Sequence, residues 1–232
     1  MLESAVAIIT ARGGSKRIQR KNIKSFLGKP ILEYSIVSAL DAGCFSEVMV
    51  STDDSEIADL AKKLGARVPF FRSKETSGDF AVTAQVVEEV LLEYGRQNRI
   101  FSHACCLYPT APFVTPDRLR SGLALLKERD ADGVVPVVRF GFPIQRAFRL
   151  KNGFVEMLWP ENCNIRSQDL EPTFHDAAQF YWLNVERFLK LKIVFMPHTV
   201  ALEVPEEEVQ DIDHESDWRL AEMKYELLRR SR

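Results

Sequence analysis

The sequence predicts an α/β fold: a mostly parallel sheet with helices packed on both faces, in the Rossmann-like manner. Two observations carry this. Segments that read as strands alternate with segments that read as helices along most of the chain. The strand segments Ala5–Thr10 (Ala-Val-Ala-Ile-Ile-Thr) and 104–108 (Ala-Cys-Cys-Leu-Tyr) are also continuously apolar, as expected of strands covered on both sides. A chain of 232 residues fits one such domain over 1–232, and a core of that size needs no disulfide or metal staple.

Each element has its own signal. Residues 30–42 read as a helix, with Ile31, Tyr34, Ser35 and Ala39 at helical spacing. Glu47–Ser51 is the next strand, Asp53 or Asp54 caps a helix over 55–64, and Gly65 ends it. Residues 68–71 read as a short third strand. A helix over 80–95 places Val82, Val86, Val90 and Leu91 on one stripe. Thr115 before Pro116 is an N-cap with proline at the first helical position, opening a helix to Arg129. Residues 134–138 form a fifth strand. The segment 139–180 has weak periodicity and turn signals at Asn152-Gly153 and Trp159-Pro160, so it reads as strands and long loops projecting from the core. Core structure returns over 180–185, followed by a helix over 186–192, a strand over 198–204 and a last helix over 214–228. Ligands bind at the carboxyl ends of strands in such sheets, which puts the loops after Thr10, Ser51, Tyr108 and Val138 on one rim.

Composition narrows the function. A net charge of −2 argues against wholesale nucleic-acid binding. No apolar run approaches a membrane span, and the first residues lack the pattern of a signal peptide, so a cytoplasmic protein is expected. Cys44, Cys105, Cys106 and Cys163 show no ligand spacing and read as buried free thiols; the four histidines show none either. The charge is uneven, however. Residues 4–32 contain no acid but hold Arg12, Lys16, Arg17, Arg20, Lys21, Lys24 and Lys29, the mark of a focused anion site.

Directly after the first strand comes Ala11-Arg-Gly-Gly-Ser-Lys-Arg-Ile-Gln-Arg-Lys-Asn22. Gly13 and Gly14 let backbone N–H groups approach an anion, Ser15 adds a hydroxyl donor, and Arg12, Lys16 and Lys21 add charge where a triphosphate needs neutralising. The run matches neither G-x-x-x-x-G-K-[ST] nor G-x-G-x-x-G; its bland alternative is a basic surface loop. Near the other end, Asp211 and Asp213 flank Ile212, so in extended chain both carboxylates face one way. Two hard carboxylates on one face suit Mg²⁺. The alternative for Asp213 is capping the last helix, which does not account for Asp211. Asp53 and Asp54 read as helix-cap residues in preference to a second acidic site.

The run from Ile9 to Ile23 resembles the opening motif of the CMP-sialic acid synthetase (acylneuraminate cytidylyltransferase) family. Gly28-Lys-Pro-Ile-Leu32, Val50-Ser-Thr-Asp-Asp54, Tyr108-Pro-Thr-Ala-Pro112 and Gln210-Asp-Ile-Asp213 continue the match over nearly the whole chain. Thr10 and Gln19 stand where the family usually has proline. The segments Phe140-Gly-Phe-Pro-Ile-Gln-Arg146, Trp159-Pro-Glu-Asn162, Arg166-Ser-Gln-Asp-Leu-Glu-Pro172 and His175-Asp-Ala-Ala-Gln-Phe-Tyr181 are most similar to the pseudaminic acid branch.

The resemblance implies a three-layer Rossmann-like nucleotidyltransferase fold with 139–180 as a projecting substrate and dimerisation segment, hence a homodimer. It implies CTP and a nonulosonic acid sugar as substrates and Mg²⁺ as cofactor. Ala11, Arg12, Gly13, Gly14, Ser15, Lys16, Lys21, Asn22, Arg72 and Thr83 would bind the nucleotide. Tyr108, Arg166, Gln168, His175 and Gln179 would face the sugar, with Arg166 on its carboxylate and, as the alternative, in an ion pair with Asp169 or Glu171. Asp211 and Asp213 would hold Mg²⁺. Lys21, Arg12, Lys16 and Asp211 would carry the chemistry, Asp211 being the nearest candidate base. Tyr108 stands where sialic acid synthetases usually have glutamine, which argues against ordinary N-acetylneuraminate. The competing readings are a sialic, legionaminic or 3-deoxy-octulosonate cytidylyltransferase, a non-catalytic nucleotide-sugar sensor, and a glycosyltransferase of similar fold.

Overall fold

The computed structural model describes residues 4–231. Strand β1 (Ala5–Thr10) leads through a loop and a 3-10 turn (Lys21–Ile23) to a small hairpin, β2 (Ser25–Phe26) and β3 (Lys29–Pro30), then to α1 (Ile31–Ala42). Next come β4 (Glu47–Ser51), α2 (Ser55–Lys63), the one-turn α3 (Lys74–Ser77) and α4 (Thr83–Arg96). β5 (His103–Leu107), α5 (Pro116–Glu128) and β6 (Gly133–Arg139) complete the first part of the sheet. A hairpin of β7 (Phe148–Lys151) and β8 (Phe154–Met157) follows, then β9 (Phe174–Asp176), β10 (Phe180–Asn184), α6 (Val185–Leu191), β11 (Thr199–Glu203) and α7 (Glu215–Ser231).

The main sheet has the order β11-β6-β10-β5-β1-β4, and β9 also pairs with β6. β4, β1, β5, β6 and β11 point the same way; β10 and β9 run against them. The unbroken apolar strands serve two cores at once. Ala5, Ala7 and Ile9 of β1 pack with Leu32, Ile36, Ile57, Ala61 and Leu119 from α1, α2 and α5. Val6 and Ile8 pack on the other face with Val87, Val90, Tyr94 and Phe188 from α4 and α6. β5 and β10 divide their side chains in the same way: Phe180 and Trp182 on one face, Tyr181 and Leu183 on the other. Each fully buried large apolar side chain stabilises by about 1.5–3 kcal/mol, which is why a period of one, not two, marks these strands.

Local signals place the ends. Asp54 caps α2, accepting the Ile57 N–H at 3.0 Å, and Thr115 caps α5 through the Arg118 N–H at 3.3 Å. Asn152 and Gly153, both at positive φ, turn the β7–β8 hairpin in two residues.

Four expectations need correction. Residues 68–71 form no strand: only Arg67 bridges to Met49, since Pro69 has no N–H to extend the ladder. The helix expected from residue 80 begins at Thr83, which leaves Val82 exposed outside its apolar stripe. The segment expected to project over 139–180 rejoins the sheet at Phe174, and Ala177 and Gln179 are buried. Cys163 is exposed on the projecting part, unlike the buried Cys105 and Cys106.

Candidate active site

A third, smaller core builds the site. Ile18 of the basic loop, Ile212 between the two late aspartates, and Phe26, Ile31, Phe113, Trp218 and Ala221 pack together. One apolar side chain thus anchors the cations and another anchors the carboxylates, and α7 clamps both. Burial of Ile18 and Ile212 forces their polar neighbours outward into a shared cleft.

The basic loop is held by hydrogen bonds from below. The Ala11 N–H donates to the Ser51 carbonyl at 3.0 Å, the Gly13 N–H to Asp53 Oδ1 at 2.8 Å, and Asn22 Nδ2 to the Arg12 carbonyl at 2.8 Å. Gly13 lies so close to the 52–54 turn that a Cβ there would stand 2.7 Å from Asp54 Oδ2. Arg20 points away from the cleft, donating to Asp54 at 2.5 Å and pairing with Glu56. Asp54 is therefore both cap and ion-pair partner, and Asp53 a loop anchor.

The cleft has a volume of about 370 Å³. Arg12, Ser15, Lys16, Lys21 and Asn22 of the basic loop line it together with Arg72, Thr83, Tyr108, Asp211 and Asp213. Lys21 is half-buried. Its Nζ donates to the Ile212 carbonyl at 2.6 Å and stands 3.8 Å from Asp213 Oδ1. Burial lowers its pKa, opposed by the charges of Asp213 and Asp211. Burial, then the neighbouring Asp213 charge, raises the pKa of Asp211. Asp213 Oδ1 also pairs with Arg17 at 2.8 Å.

Arg72 is buried. Its Nε donates to Ser51 Oγ at 3.0 Å and its Nη2 to the Ser51 carbonyl at 2.7 Å. Tyr108 is fixed from three sides. Its carbonyl accepts from Ser35 Oγ at 2.8 Å, its hydroxyl lies 3.1 Å from Thr83 Oγ1, and its ring meets Tyr181 edge-on. Burial raises the phenol's pKa, so it stays protonated.

The expected sugar side does not assemble within one chain. Arg166 is exposed on the projecting arm and pairs with Asp169 at 2.8 Å, the ion pair that was its alternative. Gln168 lines a separate groove with Phe140 and Glu206. His175 packs on Phe140 with its Nδ1 2.9 Å from the Asp176 carbonyl oxygen. Gln179 is buried beneath the cleft and donates to the Glu208 carbonyl at 2.7 Å. The cause is geometric: after β6 the chain turns outward and carries Arg166 and Gln168 off with the arm, while His175 returns on β9 paired with β6 and Gln179 is buried. Ala11 is also buried and spends its N–H on the sheet, so it supports the loop without facing the cleft.

Sequence reasoning missed Asp79, which pairs with Arg12 at 2.9 Å and with Lys16 from the loop after α3. It also missed the cleft positions of Arg17 and Thr110. Arg17 carried a signal, as part of the basic block; Asp79 carried none beyond a Gly-Asp turn.

A cytidylyltransferase family model matches residues 6–178, spanning β1 through β9 and most of the cleft. The chain belongs to the cytidylyltransferase family. The enzyme is a CTP-utilising nucleotidyltransferase. It is 41% identical over 223 residues to a pseudaminic acid cytidylyltransferase of Campylobacter jejuni, with 96% of both chains covered. It is 31% identical to a CMP-N,N'-diacetyllegionaminic acid synthase of Legionella pneumophila, again over 96% of each chain. Among solved structures, a CMP:2-keto-3-deoxy-manno-octonic acid synthetase complexed with CTP superposes with a TM-score of 0.69 at 14% identity, covering 98% of this chain and all of the other. That likeness bears on the cytidylyltransferase's fold.

Proposed function

We propose that this cytidylyltransferase transfers CMP from CTP to the anomeric hydroxyl of pseudaminic acid and releases pyrophosphate. The observation that carries the reading is the convergence of Arg12, Ser15, Lys16 and Lys21 of the cationic loop, Arg72 with Thr83, and the Asp211–Asp213 pair on one cleft; Gly13 and Gly14 do not line it, and the Gly13 N–H is bonded to Asp53. The choice of sugar rests on the similarity to relatives named for pseudaminic acid and on Tyr108 in the cleft wall.

In the reaction the sugar oxygen forms a bond to the α-phosphorus, the bond to the pyrophosphate oxygen breaks, and the hydroxyl proton leaves. Positioning and charge neutralisation dominate such transfers. Arg12, Lys16 and Lys21 neutralise the triphosphate and the departing pyrophosphate. Lys21 is pre-set by its bond to the Ile212 carbonyl. Arg72 and Thr83 lie across the cleft, where the base would rest. Asp211 is the nearest candidate to receive the hydroxyl proton.

The donor set fits Mg²⁺. The neighbouring Asp213 charge raises the cost of ionising Asp211, which a cation would relieve. Mg²⁺ usually takes one or two protein carboxylates together with phosphate oxygens and water, so a cluster of three ligating side chains is not required. Bound there, it would supply charge to the phosphates and polarise them for attack. Arg17 would release Asp213 as the ion enters.

We also place the enzyme in the cytoplasm as a homodimer. Among the described residues no helix is long and apolar enough to cross a membrane. The arm exposes Phe142, Phe148, Leu150, Phe154 and Val155, more apolar surface than a lone hairpin keeps in water. A second copy packed on that arm would cover it and bring Arg166, Gln168 and His175 toward a neighbouring cleft.

Pyrophosphate release with CTP and Mg²⁺ across a panel of pseudaminic, legionaminic, N-acetylneuraminic and 3-deoxy-octulosonic acids tests the reading. The expected result is the highest kcat/KM for pseudaminic acid. A preference for legionaminic acid would move the substrate assignment and leave cytidylyl transfer standing.

A further inference from the structure

Between β11 and α7 the chain runs from Val204 to His214 with only one turn of 3-10 helix, Glu206–Glu208. This strap carries Asp211 and Asp213. Irregular backbone gives no ladder of its own to hold two carboxylates at a fixed place, so the hold must come from elsewhere. The structure provides it at both ends.

Past the aspartates, Ile212 is fully buried, its carbonyl accepts from Lys21, and Asp217 Oδ2 accepts from the Asp213 and His214 N–H groups at 3.0 and 2.7 Å. Before the aspartates, Glu208 is gripped twice. Gln179 Nε2 donates to its carbonyl at 2.7 Å, and Arg118 Nη2 from α5 donates to its carboxylate at 2.6 Å. Both Arg118 and Glu208 are largely buried, so the pair is shielded from water. Lys224 of α7 adds a bond to the Val209 carbonyl at 2.8 Å. Two residues separate Glu208 from Asp211, and three steps of chain reach about 10 Å at most. With 208 and 212 both fixed, Asp211 has little freedom.

Underneath lies a cavity of about 470 Å³ between α1, the 112–116 loop and α7, and Glu208 is among its walls. Without its grip the strap has space to sink away from the cleft. Gln179 was expected to touch sugar; it is buried, its Nε2 is used on the strap, and its Oε1 has no hydrogen-bond partner among the described residues.

We infer that Glu208, held by Arg118 and Gln179, is the positioning residue that sets Asp211 and Asp213 in the cleft, making the trio a support for metal and phosphate binding. The three touch no reacting atom; they act through the strap. The inference rests on the proposed metal role of the two aspartates, and its test separates the two claims.

Amide hydrogen exchange over 209–213 and Mn²⁺ binding in the presence of CTP, followed by electron paramagnetic resonance, are measured in the whole protein. Glu208→Ala is expected to speed exchange in 209–213 while β1 and β5 stay protected. It should weaken Mn²⁺ binding about tenfold, the usual effect of losing a group that orients a metal ligand. Glu208→Gln, which still offers an acceptor to Arg118, should recover part of both. If Glu208→Ala fails to fold, Gln179→Met removes the other grip at matched size and should show the same two changes. Unchanged exchange in 209–213 overturns the positioning role. Faster exchange, with Asp211→Asn binding Mn²⁺ as tightly as the parent, overturns instead the metal reading beneath it.

Discussion

The cationic cleft and the projecting arm of this protein are built in opposite ways. The basic loop 11–24 is bonded to β4, to the 52–54 turn and to the Asp211–Asp213 strap, and Ile18 roots it in an apolar core. The arm over 140–173 makes mostly local bonds. Its hairpin is exposed along its length, and Arg166 finds its partner three residues away. A site pre-set within one chain can bind on its own. One displayed on an arm whose apolar side chains face water awaits another surface.

Three substitutions probe the pre-set side, in falling order of effect. Lys21→Ala should raise the barrier for kcat/KM with CTP by roughly 2–4 kcal/mol, as for loss of one charge-stabilising donor, with little change in sugar KM. A collapse of sugar binding with normal CTP kinetics would place the loop against the wrong substrate. Gly13→Ala should cost about 1–3 kcal/mol in denaturant unfolding, because its Cβ meets the Asp54 side chain. Gly14→Ala, with open space around that position, should change stability by less than about 0.5 kcal/mol. Equal effects would contradict the packing of the loop on the 52–54 turn.

The smallest effect is a pH dependence. Hydrogen bonding from Arg20 holds the Asp54 carboxyl below its usual pKa. A group with a depressed folded pKa contributes stability above its unfolded pKa, about 4 for aspartate, and loses it as pH falls through the folded value. The pair is partly exposed, so the contribution should be under about 1 kcal/mol. Thermal melts of Asp54→Asn and parent should differ at pH 7, and the difference should shrink as pH falls below about 4; a constant difference would assign the effect to the cap alone.

Legibility in the sequence followed the same division. β1 and β5 were readable because burial on both faces leaves unbroken apolar runs. The loop was readable because its anion-binding groups are neighbours in sequence, and the late aspartates because spacing alone puts them on one face. Other features depend on tertiary context. Nothing in Phe-Tyr-Trp-Leu-Asn tells that β10 runs antiparallel, since an apolar run carries no direction. Pro69 hid the end of a one-bridge pairing. Gln179 was placed at the sugar by the family resemblance, yet its Nε2 donates to the carbonyl of Glu208, 29 positions on. The arm's polar groups can be named from sequence, but within one chain Arg166 pairs with its near neighbour Asp169, a pairing that spacing alone does not set apart from a ligand contact.

The contrast between the two regions is tested most directly by calorimetric titration of CTP, with turnover measured in parallel, on a chain made monomeric at the arm. Phe148→Asp with Phe154→Asp places charges on two exposed arm positions, and light scattering compares the oligomeric state of parent and variant as a check on the proposed dimer. The account predicts that this monomer binds CTP with the parent's affinity while turnover with sugar collapses. A monomer that loses CTP binding, or one that turns over sugar at the parent's rate, would contradict it.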